Sequence, residues 1–139
     1  MKFLYIIFII IAALVLIMYL FPQINFREMP EGLMDGKLPE EKPNWVSSLV
    51  SESSSHYIAP LKVEAISKLV SCIESRVPEL KIQKQEVSFL IGYRQSRVFH
   101  FVDWLCIYAN GNVISSATMG HSDFGKNREL VEKIRSLCS

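Results

Sequence analysis

His100, His121, Asp103 and Asp123 are the residues whose types and spacing could together do chemistry in this chain of 139 residues. Two imidazoles facing one another, with a carboxylate close by, can bind a metal ion or move a proton. The four flank Asn110-Gly111, a pair that favours the positive φ of a tight two-residue hairpin turn. Such a turn sets Ile107 opposite Ile114, Asp103 opposite Thr118 and His100 opposite His121. Asp103 lies an odd number of residues from His100 and should point to the other face of the strand. Only Asp123, two residues past His121, could join the histidines. A small metal-assisted hydrolase built on His100, His121 and Asp123 is the sharper reading of this group, and a pair of partly exposed histidines at strand ends is the plainer and favoured one.

A second constellation is Asp123, Asn127 and Arg128. Asp123 suits the cap of a helix, a role worth about 1 kcal/mol, and Gly125 would let the helix start pack closely on a neighbouring sheet. An arginine in a first turn opposes the helix macrodipole and needs a partner. Asp103, on the inward set of a strand, is the partner expected for Arg128. The choice is between an ion-paired clamp that fixes the helix on the sheet and an anion- or ligand-binding site. Asp103, Asp123, Asn127, Arg128, His121 and His100 are therefore the candidate binding residues. No catalytic residue, metal ligand or cofactor is assigned, and Ser55-His56 makes no hydrolase signature, because the chain has no G-x-S-x-G elbow and no glycine-rich phosphate loop.

The elements that must position these groups follow from periodicity. Ile66, Leu69, Val70, Ile73 and Val77 recur at helical intervals between Pro60 and Pro78, which suit the first turn and the end of a helix. Val87, Phe89, Ile91 and Tyr93 then alternate with Ser88, Leu90 and Gly92, and Phe101, Leu105 and Ile107 continue the period of two. A last helix starts at Ser122 or Asp123 and carries Leu130, Ile134 and Leu137 on one face. The expected fold class is α+β: an N-terminal transmembrane helix, then an antiparallel meander of three to four strands with two helices packed on one face, in the order helix, strands, helix. Residues 47–55, with six serines, read as a loop or a weak edge strand.

Location is written at the N-terminus. Phe3 to Phe21 is an uncharged run of 19 residues, and at ~1.5 Å of rise per residue it matches the hydrocarbon thickness of a bilayer. The bulky Tyr19-Leu20-Phe21-Pro22 leaves no small-residue cleavage site, so an uncleaved anchor is expected over residues 1–21. Tyr5 and Tyr19 sit where aromatic belts form. Lys2 before the run, and Arg27 diluted by Glu28, Glu31 and Asp35 after it, favour a cytoplasmic N-terminus in the plasma (inner) membrane and an extracytoplasmic domain. Residues 22–43 hold four of the six prolines and five acidic residues, and are expected to be a semi-stiff stalk before one globular domain at 44–139.

Composition excludes more than it proposes. Beyond Phe21 the chain has 14 basic and 14 acidic residues, so a nucleic-acid surface is not expected. Cys72, Cys106 and Cys138 show no metal-ligand spacing. An oxidising compartment would allow one bridge among them, and three buried free cysteines are the expected outcome. Val102, Trp104, Cys106 and Met119 would make one sheet face apolar enough to dock a protein partner.

Lys42-Pro43-Asn44-Trp45-Val46-Ser47-Ser48, Ile58-Ala59-Pro60-Leu61, Phe101-Val102-Asp103 and Gly120-His121-Ser122-Asp123-Phe124-Gly125-Lys126-Asn127-Arg128 together resemble the Domain of Unknown Function 1499 family. The resemblance implies a small domain, often behind a hydrophobic segment, with no assigned activity. Members carry a cysteine where this chain has Trp45, arginines near the positions of Ile114 and Thr118, and acidic residues at the positions of Trp104 and Cys106. The reading that results is a membrane-anchored accessory or ligand-binding domain of the cell envelope without catalysis. A metal-assisted envelope hydrolase and a structural partner-docking component are the alternatives.

Overall fold

The structure, a computed structural model, describes residues 2–25 and 28–139, with side chains described for 2–20 and 28–139. Arg27, used in the orientation argument, lies outside the described residues, as does the side chain of Phe21. Helix α1, Lys2–Asn25, contains one segment, Lys2–Leu20, long and apolar enough to cross a membrane, and none of that segment is buried against the rest of the chain.

Five antiparallel strands make one sheet: β1 Trp45–Ser47, β2 Leu80–Gln85, β3 Phe89–Gln95, β4 Val102–Tyr108 and β5 Val113–Ala117. Their order in space is β1-β5-β4-β3-β2. Strands β2 to β5 form the expected meander, and β1 at one edge takes the count one beyond the expected three to four. Leu80 and Ile82 alternate with lysine and glutamine as a half-buried strand should, whereas β1 is three residues long and borrows its stability from β5.

One face of the sheet is covered by helices α2, Ile66–Arg76, and α3, Lys126–Cys138. Leu69, Ile73, Leu130 and Ile134 meet Leu90, Leu105, Ile107 and Val113 in one buried cluster. Helix α2 starts at Ile66 rather than near Pro60, because the preceding residues run extended beside the hairpin and Leu61 N–H donates to Gly111 O at 2.8 Å. The two helices are joined by a disulfide between Cys72 and Cys138, and Cys106 stays free and buried. Three free cysteines were expected, but the sequence separation of 66 residues concealed a pair that packing brings together.

The other face is covered by the chain's own N-terminal approach. Leu33, Leu38 and Trp45 are buried with Ile91, Val102, Trp104, Cys106 and Ile114. Thus part of the stretch read as a stalk lies on the sheet. Its low average hydrophobicity hid Leu33, Met34 and Leu38, which are the residues that pack. Gly32 makes the turn possible: its φ is +84°, and a Cβ there would stand 2.3 Å from Lys37 O. Val102, Trp104 and Cys106, three of the four residues of the apolar face, are buried in the same cluster as Leu33 and Leu38.

The β4–β5 hairpin is one residue out of the expected register. Ile107 pairs with Val113, Leu105 with Ser115 and Asp103 with Ala117. Gly111 N–H donates to Tyr108 O, so Ala109 and Asn110 are the central residues of the turn. Gly111, at φ +90°, follows it. This is the three-residue loop in which a left-handed glycine forms a bulge, and it uses the same Asn-Gly pair differently from a two-residue turn.

Candidate functional site

The shifted register decides the fate of the histidines. The β4–β5 ladder ends at Asp103 and Ala117, before either imidazole. His100 sits in the β3–β4 loop with φ 56°, its ring edge-on to Tyr19 of α1 at 4.6 Å. Its Nε2 is buried without a hydrogen-bond partner among the described residues. His121 is exposed in the β5–α3 loop. Among the described residues, no group of three or more His, Cys, Asp or Glu is gathered that could hold a metal ion.

Asp123 and Asn127 form a clamp. Asp123 Oδ2 accepts from Asn127 N–H and from Asn127 Nδ2, both at 2.7 Å, while Oδ1 accepts from Gly125 N–H at 3.0 Å. Asn127 is fully buried; its Nδ2 also donates to Asn44 O at 3.0 Å, and its Oδ1 accepts from the Ser115 hydroxyl at 2.5 Å. Asn44 in turn donates to Gly120 O at 2.9 Å. One amide therefore ties α3, β5 and the entry to β1 together, with every polar atom of its side chain bonded. Gly125 faces open space, so its contribution is its φ of +76° rather than close packing.

Asp103 and Arg128 do not form the expected pair. Arg94, opposite Asp103 on β3, donates to its Oδ2 at 2.8 Å and to Lys126 O at 3.1 Å. Arg94 thus fixes the start of α3 on the sheet, the task expected of Arg128. Arg128 instead donates to Ser55 O at 3.0 Å. Burial pushes the Asp103 carboxyl above its ordinary range, and this outweighs the opposing pull of the Arg94 hydrogen bond and charge. The side chains of both partners are about 15 % exposed. Sequence reasoning missed Arg94 because it fixed no register between β3 and β4.

On the face away from the helices, the sheet carries a cleft of about 220 Å³ lined by Gln83, Tyr93, Gln95, Val102 and Trp104. Gln83 is there because the β2–β3 register slips between Ile82 and Lys84, leaving it as the extra residue of a bulge. Gln95 is held by a bond from its Nε2 to His100 O at 3.3 Å. The rings of Tyr93 and Trp104 are 5.3 Å apart. Trp104 is 3 % exposed, and its Nε1 is buried with no hydrogen-bond partner among the described residues. The lining holds no group that is charged at neutral pH. Behind it, burial raises the Cys106 thiol to about 11, so it is not a thiolate nucleophile. Only the alternation of Tyr93 and Gln95, and of Val102 and Trp104, could have pointed to this wall. The bulge that adds Gln83 leaves no such signal.

The other tryptophan is fully engaged. Trp45 Nε1 donates to Pro39 O at 2.8 Å, and the Trp45 ring stacks on His56 at 3.8 Å. His56 Nδ1 lies 3.1 Å from Trp45 O and Nε2 lies 3.2 Å from Glu40 O. This knot fastens the incoming chain to the sheet and presents no free group.

The family described as protein of unknown function (DUF1499) matches residues 37–137, more than half of the chain, and the chain belongs to that family. No curated protein and no solved structure is significantly similar to it.

Proposed function

We propose that this DUF1499 member is a single-pass protein of the plasma (inner) membrane whose extracytoplasmic domain binds a small uncharged ligand in the outer-face cleft, without catalysis. The observation that carries the reading is a cleft lined by Trp104, whose indole N–H is buried and unpartnered among the described residues. A buried donor left unbonded costs about 1 to 3 kcal/mol, a cost a ligand's acceptor oxygen would remove. Two glutamine amides and a tyrosine beside it suit a ligand of hydroxyl or amide character, and the absence of charge in the lining disfavours an anion.

The compartment is supported by the Cys72–Cys138 disulfide, since such bonds persist in oxidising surroundings. The apolar segment of α1 and the position of Lys2 support the membrane and the orientation. Against the hydrolase alternative stand the engagement of Asp123 in the Asn127 clamp and a cleft lining that includes neither His100 nor His121.

Native mass spectrometry of the full chain, released from membranes in mild detergent, tests the reading. A bound small molecule should accompany the parent chain and be lost from Gln83→Ala. A parent chain bare under the gentlest conditions, or a molecule retained by the variant, would count against the cleft.

A further inference from the structure

We propose that the domain does not hang free of its anchor but rests on the bilayer, with Phe124 and Val98 seated in the headgroup layer. The inference depends on the reading that α1 spans the membrane. Both residues lie in loops at one end of the sheet. The β3–β4 loop and the β5–α3 loop meet there, since Thr118 N–H donates to Val102 O at 3.0 Å. The end of the apolar segment of α1 is there too, because Tyr19 packs edge-on against His100. A tyrosine near the end of a membrane span sits at headgroup level, which sets the β3–β4 loop at that level.

The two loops carry large apolar side chains turned outward. Phe124 is 92 % exposed and Val98 is 64 % exposed. Single exposed apolar residues need no explanation. Two at the anchored end of the sheet are arranged as an interfacial anchor would be, apolar tips reaching the boundary of headgroups and acyl chains. Phe124 is also fixed in place: at φ 54° it occupies a conformation rare for bulky residues, held by its N–H on Ser122 Oγ at 3.1 Å. Asp123 beside it has both carboxylate oxygens bonded inward, so it does not aim its charge at the lipid. Contact made by apolar side chains requires no anionic lipid.

The full chain, reconstituted in phosphatidylcholine vesicles, tests this with Phe124→Trp, Val98→Trp and Val87→Trp. Val87 is 93 % exposed at the opposite end of the sheet and serves as the comparison. Relative to the parent, the first two should show blue-shifted added emission that is quenched by lipid brominated on its acyl chains, and Val87→Trp should answer only to aqueous iodide. Two sites keep the test sound if one substitution disturbs folding. If the chain floats with the vesicles but the indoles added by Phe124→Trp and Val98→Trp behave like the one added by Val87→Trp, the docking is wrong and the anchor stands. Shielding from iodide without quenching by brominated lipid would mean a protein covers this end, and would also overturn the proposal. A chain that leaves the vesicles on carbonate extraction would remove the anchor itself.

Discussion

The two faces of the sheet are closed in different ways. Toward the helices, packing is backed by a disulfide, an ion pair and an asparagine whose side-chain polar atoms are all bonded. Toward the approach segment, a loop with Leu33 and Leu38 covers part of the sheet, and beside it a cleft borders a buried indole N–H without a partner among the described residues. Buried donors without partners are rare in folded proteins, and each calls for an explanation. The contrast is one of satisfaction: the clamp and the ion pair on the helix side have their polar groups bonded, whereas on the other side the Trp45–His56 knot is bonded but the Trp104 indole N–H has no partner among the described residues.

If that division is right, the largest loss of stability comes from the helix side. Asn127→Ala removes the amide shared by Asn44, Ser115 and Asp123 and should cost about 3 to 4 kcal/mol, read from chemical unfolding in detergent. Replacing both Cys72 and Cys138 with serine should cost about 3 kcal/mol, and reductant should destabilise the parent chain but not this variant. A loss well under 1 kcal/mol for Asn127→Ala would break the comparison.

The ion pair comes next. Asp103→Ala and Arg94→Ala should each cost about 2 kcal/mol by stranding the other charge, and the double variant less than their sum. The pH dependence has a definite sign. Because burial raises the Asp103 carboxyl in the folded state, folding favours its protonated form. Its contribution to stability is then fully present below the ordinary carboxylate range near pH ~4 and is lost as pH rises through the raised value. Subtracting the pH profile of Asp103→Asn from that of the parent isolates this term, and a difference growing with pH would contradict the sign.

The smallest effects belong to the cleft. Gln83→Ala sits on a bulge at an exposed position and should change stability by no more than about 0.5 kcal/mol, while abolishing ligand retention. A large stability change there would make the cleft part of the scaffold.

Much of this architecture is legible in the sequence, and the failures have physical causes. The helical period of Ile66 to Val77 and the alternation around Phe89 to Tyr93 correspond to what folds, whereas α3 starts at Lys126 behind Gly125 rather than at Ser122 or Asp123, and Asp123 reaches its first turn only by accepting from the Asn127 N–H. The hairpin register failed because Asn110-Gly111 serves two turn types, and local preference does not choose between them. That single-residue slip dissolved the histidine pair and the expected geometry around Asp103. The inward face of Asp103 and the first-turn position of Arg128 point to each other, but the neighbouring strand supplies Arg94 instead. The cleft itself depends on a bulge, a product of tertiary packing that no local pattern encodes.

The most direct test compares the two indoles in one spectrum. In the full chain in micelles, labelled with nitrogen-15, the Trp45 indole N–H, bonded to Pro39 O at 2.8 Å, should resonate downfield and exchange slowly in every condition. The Trp104 indole N–H should resonate upfield in the ligand-free chain. It should move downfield when small uncharged acceptors, such as N-acetylated sugars and simple amides, fill the cleft, and Gln83→Ala should abolish that movement. A Trp104 resonance already downfield in the free chain, or one that no such acceptor moves while Trp45 stays fixed, would contradict the claim that this face is the binding face.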